Sequence, residues 1–515
     1  MRIGIDVGGT NTDAVLMDGT KVLGWHKTPT TLDVTSGITA ALQAVLADTK
    51  VAPDSIATVM IGTTHFTNAV VERRRLTQVA AIRLGLPATQ CLPPMVDWPD
   101  DLREAIGNHS YLAHGGHEFD GREISALDEQ ELHGIAADIR SQGITSVAVS
   151  SVFSPVNPQI EERAAALLRE DIPGLSVTLS HEIGRIGLLE RENAAIMNAC
   201  LRDLAVHIVT SFEKSLVDLN IHAPFYLSQN DGTLMNAEFA ERYPVLTFAS
   251  GPTNSMRGAA FLSGVKEAMV IDVGGTTSDV GMLIHGFPRE ASVTVEVGGV
   301  RTNFRMPDVF SFGLGGGSLV RSDNGHLRIG PDSVGYELTS KALVFGGQTL
   351  TTTDIAVAGG LANIGNPEAV RSLDPQLVKN AIADIQVMVE VAIDRMKTSA
   401  EPCPVIIVGG GSVLINRTVR GASEMIKPPH FAVANAIGAA IAQVGGETDR
   451  IFSLEKISRE EALALARDEA IQKAVAAGAD PATVQIVDVE EVPLTYLPSN
   501  ATRIHMKAVG DLSLA

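Results

Sequence analysis

The sequence predicts an α/β protein built as two lobes, on three observations. A strand, glycine turn, strand motif occurs near the start and again past the midpoint. Short apolar strand runs alternate with helix-period segments over most of the chain. Finally, 48 glycines with 4% aromatic residues in a chain of 515 suit the tight turns of an α/β fold better than a β-sandwich. At this length, and with 45% hydrophobic residues, the chain can bury two or three cores.

The first copy of the motif reads Ile3-Gly4-Ile5-Asp6-Val7-Gly8-Gly9-Thr10-Asn11-Thr12-Asp13, and the second Val270-Ile271-Asp272-Val273-Gly274-Gly275-Thr276-Thr277-Ser278-Asp279. Each is a short apolar strand ending in Asp, a Gly-Gly turn, and a second strand that opens with hydroxyl side chains. Backbone N–H groups in such a turn can face a phosphate, because glycine permits close approach. The Asp before each turn cannot hold a phosphate directly, but it can hold Mg²⁺ or its waters beside one. A device made twice is expected to serve one ligand. A turn marked by Asp18-Gly19 in the first half and by His285-Gly286 in the second extends the repeat, so both halves begin strand, turn, strand, turn, strand.

Between the copies, the pattern predicts helices over 31–46, 64–75, 128–142 and 158–170, with strands over 21–26, 57–61 and 146–152. Periodicity fades over 90–121, where Pro93-Pro94, Trp98-Pro99 and Gly115-Gly116 suggest an insertion or lid. One long helix over 188–219 is expected to bridge the lobes. After the second copy come a strand over 291–297, the glycine-rich Gly313-Leu314-Gly315-Gly316-Gly317-Ser318, the loop Thr351-Thr352-Thr353-Asp354, and a helix over 377–396. A buried strand, Val405 to Val408, then opens into Gly409-Gly410-Gly411, bare backbone against which a base or ribose can lie. A small-residue helix over 431–444 returns toward the first lobe, and 450–515 adds a helix over 459–477 with strands near 483–492 and 502–508. The expected division is 1–190, 191–445 and a small α+β C-terminal region, 446–515.

Net charge is −20 with no basic stripe, which argues against nucleic acid as a partner. No run approaches the roughly 18 to 20 apolar residues that cross a bilayer, and the start, Met1-Arg2-Ile3-Gly4, leads into a strand rather than a signal peptide. Cys91, Cys200 and Cys403 are odd in number and far apart, which suits neither a disulfide framework nor a zinc cluster. A reducing cytoplasm is the expected location.

Asp-Val-Gly-Gly-Thr in two copies with a late strand and Gly-Gly-Gly resembles the actin-like ATPase superfamily, a two-lobed, ribonuclease H-like α/β fold. The resemblance implies that the duplicated hairpins are phosphate loops and that the late glycines form an adenosine site. Further islands narrow it to the hydantoinase A/oxoprolinase family of ATP-dependent enzymes that open cyclic amides. They are Gly62-Thr63-Thr64 with Thr67-Asn68-Ala69 and Glu72, Glu190-Arg191-Glu192 with Asn198-Ala199, Ser250-Gly251-Pro252 followed by Gly258-Ala259, Gly315-Gly316-Gly317-Ser318 and Thr353-Asp354. Three departures from the family pattern stand out: Asn11 where Phe is usual, Ile61 where His is common, and a C-terminal region, 450–515, shorter than the family's.

On this resemblance, Gly8, Gly9, Thr10, Asn11, Gly274, Gly275, Thr276, Thr277, Gly315, Gly316, Gly409, Gly410 and Gly411 are expected to hold ATP. Asp6 and Asp272 are expected to organise Mg²⁺ and water, with Asp13 and Asp279 as further catalytic candidates. The implied reaction phosphorylates the carbonyl oxygen of a hydantoin, oxoproline or lactam, so that water can open the ring. The family also implies a second, unrelated subunit or a homo-oligomer. Asn11 and the missing histidine keep a small-molecule kinase of the same fold in view, and the short C-terminal region an ATP-gated, non-catalytic regulator.

Several residues have plainer readings beside functional ones. Asp13 and Asp279 can hydrogen-bond neighbouring backbone, Asp308 and Asp354 can cap turns, and His65 can be a solvated residue at a helix start. His114 and His117 with Glu118 form a loose metal-like cluster or a surface loop, and Arg191 with its flanking glutamates a substrate clamp or a salt-bridged helix face.

Overall fold

The chain's first hairpin seeds a nine-stranded sheet that its last strands complete. The computed structural model describes every residue except 32, 34, 292–293, 324–325, 496–499 and 514–515. In spatial order the large sheet runs Gln485–Pro493, Ala501–Gly510, Gln443–Ser453, Thr233–Asn236, Phe225–Ser228, Thr58–Thr63, Arg2–Val7, Asn11–Asp18 and Lys21–Pro29. The C-terminal strands are therefore not an isolated unit. Gln443–Ser453 pairs in parallel with Thr233–Asn236 and antiparallel with Ala501–Gly510.

A second sheet is built on the other copy of the motif. Ala268–Val273 pairs antiparallel with Ser278–Ile284 and parallel with Cys403–Val408, and Val309–Phe312 and Ala422–Ile426 extend it. The strand expected over 291–297 is present as Val295–Val297, while 292–293 lie outside the described residues, as do 32 and 34 at the start of the helix expected over 31–46. That helix spans Ser36–Thr49.

A third, all-parallel sheet of four strands contains His109–His114, Val79–Leu86, Ser146–Ser151 and Ser176–Leu179. This sheet takes in part of the segment 90–121, expected as an insertion or lid. The segment carries a helix, Asp100–Ala105, and an edge strand of this sheet. Met95 and Trp98 anchor it in the core at 2% and 5% exposure, and the Trp98 indole N–H donates to Asn193 at 2.7 Å. Pro and Gly broke the periodicity without excluding structure, because long-range packing holds the segment.

The long helix expected over 188–219 is two helices, Leu188–Cys200 and Arg202–Asp218, with the break at Leu201. Every residue from Arg191 to Cys200 is buried, so the first helix lies inside the protein rather than on a surface. The segment 431–444 is likewise shorter in helix than expected: Ala434–Ala440 is helical, and strand begins at Gln443.

That short helix crosses Ser250–Ser263, and glycine sets how closely they meet. A Cβ on Gly258 would fall 1.9 Å from the Ala434 carbonyl, and one on Gly438 would fall 1.8 Å from the Asn254 carbonyl. The same helix lies on the first strand, where Gly4 faces the Ala436 carbonyl. These two crossed helices link the two motif-bearing sheets. A third close approach uses alanine: Ala462, Ala466, Ala470 and Ala474, each one turn after the last, are fully buried against the large sheet. Their helix, Arg459–Ala476, starts at Ser458, whose hydroxyl accepts from the Glu461 N–H at 3.1 Å. Among the described residues no helix is long and apolar enough to cross a membrane.

Candidate functional site

The two glycine turns adopt the same local structure. Asp6 faces Asp13 across one antiparallel pair, and Asp272 faces Asp279 across the other. The Gly8 N–H donates to the Asn11 carbonyl at 3.0 Å, and the Gly274 N–H donates to the Thr277 carbonyl at 2.9 Å. The fold then brings the turns together at their tips, where the Thr10 and Thr276 hydroxyls lie 3.0 Å apart. Contact is close enough that a Cβ on Gly275 would meet Thr10 Oγ1 at 2.6 Å.

Four carboxylates gather around these turns. Asp6 is 4% exposed; its Oδ2 accepts from the Asn435 amide at 2.8 Å, while its buried Oδ1 has no hydrogen-bond partner. Burial, reinforced by the charges of Asp13 and Asp272 and opposed by the Asn435 bond, pushes its carboxyl up to about 7. Asp13 is buried, and Lys27 Nζ sits 2.5 and 2.7 Å from its two oxygens. Asp272 accepts from the Ser255 hydroxyl; burial raises its carboxyl, against the pull of Ser255 and of the Lys27 charge. Burial and the Asp272 charge push Asp279 up to about 7, opposed by the hydrogen bond from Ser311.

The glycine-rich segments divide into two roles. Gly315 and Gly316 are buried against the second turn: the Gly316 N–H donates to the Gly274 carbonyl at 3.0 Å, and the Gly317 N–H donates to the Gly275 carbonyl at 2.7 Å. Thr352 and Thr353 donate their hydroxyls to the Gly315 and Gly316 carbonyls, the second at 2.7 Å. Gly409 follows the strand beside Asp272 with φ at +87°, and a Cβ there would fall 2.1 Å from Asp272 Oδ1. Gly9 and Gly410 instead face open space, with nothing within 4 Å of where a Cβ would stand on either.

Other candidates resolve into structural roles. Asp354 caps the helix Thr352–Ala358, accepting from Thr351 N–H at 2.7 Å and from Val344 N–H at 2.8 Å, and Asp308 pairs with Arg289. Arg191 is fully buried and donates to the Ser180 hydroxyl at 2.9 Å and to the Arg185 and Ile186 carbonyls at 2.9 and 2.6 Å. Its neighbour Glu192 pairs with buried Arg83 at 2.7 Å, so this run is a buried polar spine rather than a salt-bridged helix face. His65, read as solvated, is half-buried; its ring nitrogen lies 2.6 Å from the Thr63 hydroxyl, and burial with the Arg75 charge pushes its pKa down to about 4. His114 meets Glu131 at 3.1 Å and Asp128, whereas His117 meets Asn157 at 3.1 Å, so His114, His117 and Glu118 form no common cluster.

Lys27, Asn254, Ser255 and Asn435 were not legible as site residues. Lys27 lies just past the strand expected over 21–26, and only the register that sets it opposite Asp13 reveals it. Asn435 left a faint signal, as a polar residue in an otherwise small and apolar run. Asn254, whose side-chain amide is buried without a partner, follows the Ser250-Gly251-Pro252 island. The site thus offers hard oxygen donors, one of them buried and unpartnered, which fits a divalent cation such as Mg²⁺.

Two family models match the chain: the hydantoinase/oxoprolinase N-terminal region over residues 2–172, and hydantoinase/oxoprolinase over residues 191–403. Curated relatives include the caprolactamase subunit alpha of Pseudomonas jessenii, 29% identical over 70% of this chain and 54% of the relative. The acetophenone carboxylase gamma subunit of Aromatoleum aromaticum is 28% identical over 70% of this chain and 53% of the relative. The chain thus spans about half the length of these relatives. Among solved structures, the ATP-dependent caprolactamase from Pseudomonas jessenii matches with a TM-score of 0.77 at 20% identity, covering 100% of this chain and 88% of that one. Nucleotide-free acetone carboxylase matches with a TM-score of 0.72 at 17% identity, covering 99% and 88%.

Proposed function

The chain belongs to the hydantoinase/oxoprolinase family, and from that premise we propose that it is an ATP-dependent hydrolase of a cyclic amide, with the paired turns as the phosphate loops of an actin-like ATPase. The observation that carries this reading is the tip-to-tip meeting of two equivalent glycine turns over four carboxylates, Asp6 and Asp13 buried and Asp272 and Asp279 half-buried. Relatives whose names record caprolactamase and 5-oxoprolinase activities support the same class of reaction.

In this reading Gly8 and Gly274 use their N–H groups to close the turns. The amides of Gly9, Thr10, Gly275 and Thr276 remain to meet phosphate oxygens, with Asn11 and Thr277 beside them. Gly410 offers open backbone to the nucleoside, its neighbours Gly409 and Gly411 pack against Asp272 and the backbone of Val273 and Gly274, and Gly315 and Gly316 brace the second turn. Asp6 and Asp272 would hold Mg²⁺, which when bound neutralises phosphate charge. Lys27 supplies a cation beside Asp13 and Asp272, in position to compensate charge on a transferring phosphoryl group. Asp279 and Asp13 shape the field around the metal oxygens.

The lactam carbonyl oxygen attacks the γ-phosphorus and ADP leaves. One water then adds to the activated carbon and the C–N bond breaks, the ring nitrogen taking up a proton, to leave an acyl phosphate, which a second water hydrolyses to the opened chain's carboxylate and free phosphate. Several relatives are named as subunits, so a second subunit belongs to the proposal.

The test is phosphate release by the purified chain with ATP and Mg²⁺ across hydantoins, oxoproline, lactams, sugars, and ketones with bicarbonate, with Asp272→Ala as control. Stimulation by one cyclic amide, coupled to ring opening and abolished in the variant, is expected. A stable phosphorylated sugar, or a carboxylated ketone with no amide opened, overturns the reading.

A further inference from the structure

Away from the carboxylate cluster lies a cavity of about 810 Å³, lined by neither glycine turn nor any of the four aspartates. One wall is ionic. Arg503 holds Asp449 through two hydrogen bonds of 2.7 and 2.6 Å, Arg305 holds Glu447 at 2.5 Å, and Lys507 holds Asp231 at 2.8 Å. Each of those acids therefore has its own cation. The rest of the lining mixes apolar side chains, Ile183, Met235, Phe239 and Leu246 among them, with polar ones that include His181, Glu182 and Lys473. Phe239 is 42% exposed and lies beside Tyr243, with ring centroids 4.6 Å apart.

Arg185 is part of this lining, and its ion pair is a loose one that it shares. Among the described contacts its guanidinium reaches Glu290 alone, at 3.4 Å, and Arg305 already holds that carboxylate at 3.2 Å. Its Nε is buried and unpartnered. Burial, with the like charges of Arg305 and Arg503, disfavours the ionised form of Arg185, against the pull of Glu290 and Asp449. The backbone beneath it is fixed: Asn303 accepts from the Arg185 N–H at 3.2 Å and donates to the Gly187 carbonyl at 3.1 Å, while buried Arg191 donates to the Arg185 and Ile186 carbonyls. Asn303 and Arg191 thus fix the backbone of a loop that carries a loosely paired arginine.

We infer that this cavity is a second ligand site, separate from the nucleotide cleft, that takes a small organic carboxylate whose anionic group pairs with Arg185 and whose apolar body lies along Met235, Phe239 and Leu246. Arginine meets a carboxylate through two parallel N–H donors, and the apolar side chains then select against bare inorganic anions. The inference does not depend on which reaction the cleft performs.

The experiment is calorimetric titration of the full chain with hexanoate, hexylammonium and sulfate, in the wild type, Arg185→Gln, Arg185→Lys and Phe239→Ser. Saturable hexanoate binding is expected, weakened about tenfold or more by Arg185→Gln and by Phe239→Ser, less by Arg185→Lys, with no response to hexylammonium. Affinity for a non-hydrolysable ATP analogue should stay unchanged in all variants, which also verifies folding. The inference is overturned if hexanoate does not saturate, if sulfate binds as tightly as hexanoate, if the Arg185 and Phe239 variants bind like wild type, or if hexanoate competes with the nucleotide analogue.

Discussion

Thr10 and Thr276, 266 positions apart, hold their hydroxyls 3.0 Å from one another at the meeting point of two equivalent turns. A contact between the tips of both turns makes their separation a single structural variable. A double-mutant cycle with Thr10→Ala and Thr276→Ala should give a coupling in nucleotide-analogue affinity of roughly 0.5–1.5 kcal/mol, the net worth of one such hydrogen bond. Strict additivity would mean that the contact contributes nothing to binding.

Lys27 is the cation set against Asp13, and its charge also bears on Asp272. Lys27→Met should lower ATP turnover by about 100-fold or more, the usual loss when one transition-state charge partner is removed. Because that change strands a buried carboxylate, the double variant Lys27→Met/Asp13→Asn separates the effects: it should recover thermal stability but not turnover. Recovery of both would assign Lys27 to folding alone.

Gly409 stands where a Cβ would be 2.1 Å from Asp272 Oδ1, on backbone with positive φ. Gly409→Ala should cost about 1–3 kcal/mol of stability and displace the Asp272 carboxylate. Mg²⁺-dependent nucleotide affinity should fall accordingly. Retained metal dependence with wild-type affinity would show that the strand end tolerates the methyl group without moving Asp272.

The Asp6 and Asp279 carboxyls sit at about 7 in the fold, against an ordinary 3.8. A carboxyl raised on folding binds its proton more tightly in the native state, so its contribution to stability declines as pH rises from about 4 to 7. Without metal, thermal unfolding should therefore occur at lower temperature at pH 8 than at pH 5.5, other groups being held constant in the Asp6→Asn/Asp279→Asn control. Mg²⁺ should raise the midpoint more at pH 8, since it replaces the protons. An equal Mg²⁺ effect at both pH values would count against these carboxylates as the metal's surroundings.

Asp231 has the opposite sign. Burial works to raise its carboxyl, but the Lys507 ammonium and the Thr233 hydroxyl and N–H overcome it and hold the pKa at about 2. This group adds stability above its unfolded pKa and loses it as pH falls from near 4 toward 2, an effect of about 2 kcal/mol. Comparing wild type with Asp231→Asn by denaturant titration at pH 7 and pH 3 should show the difference shrinking at the lower pH. A constant difference would assign the cost to lost packing instead.

The first motif, its second copy and the strands around them were legible because each is local: an apolar run, an Asp, two glycines and a hydroxyl dictate a tight antiparallel turn. Boundaries slipped where tertiary packing overrode local signals. Leu201 breaks an otherwise continuous helical pattern, and the segment 90–121 gains a helix and a strand because Trp98 and Met95 are held in a core assembled from distant residues.

What the sequence determined by itself was the family and the existence of two matched turns, since both are written in short contiguous islands that span 2–172 and 191–403. Only the tertiary structure decided that Thr10 touches Thr276, that Lys27 faces Asp13 and weighs on Asp272, and that Arg185 stands poorly paired in a separate cavity. The physical reason is range. Turn chemistry and periodicity act over a few residues, whereas the field at a buried charge is the sum over every group the fold brings near it, regardless of where in the chain each group began.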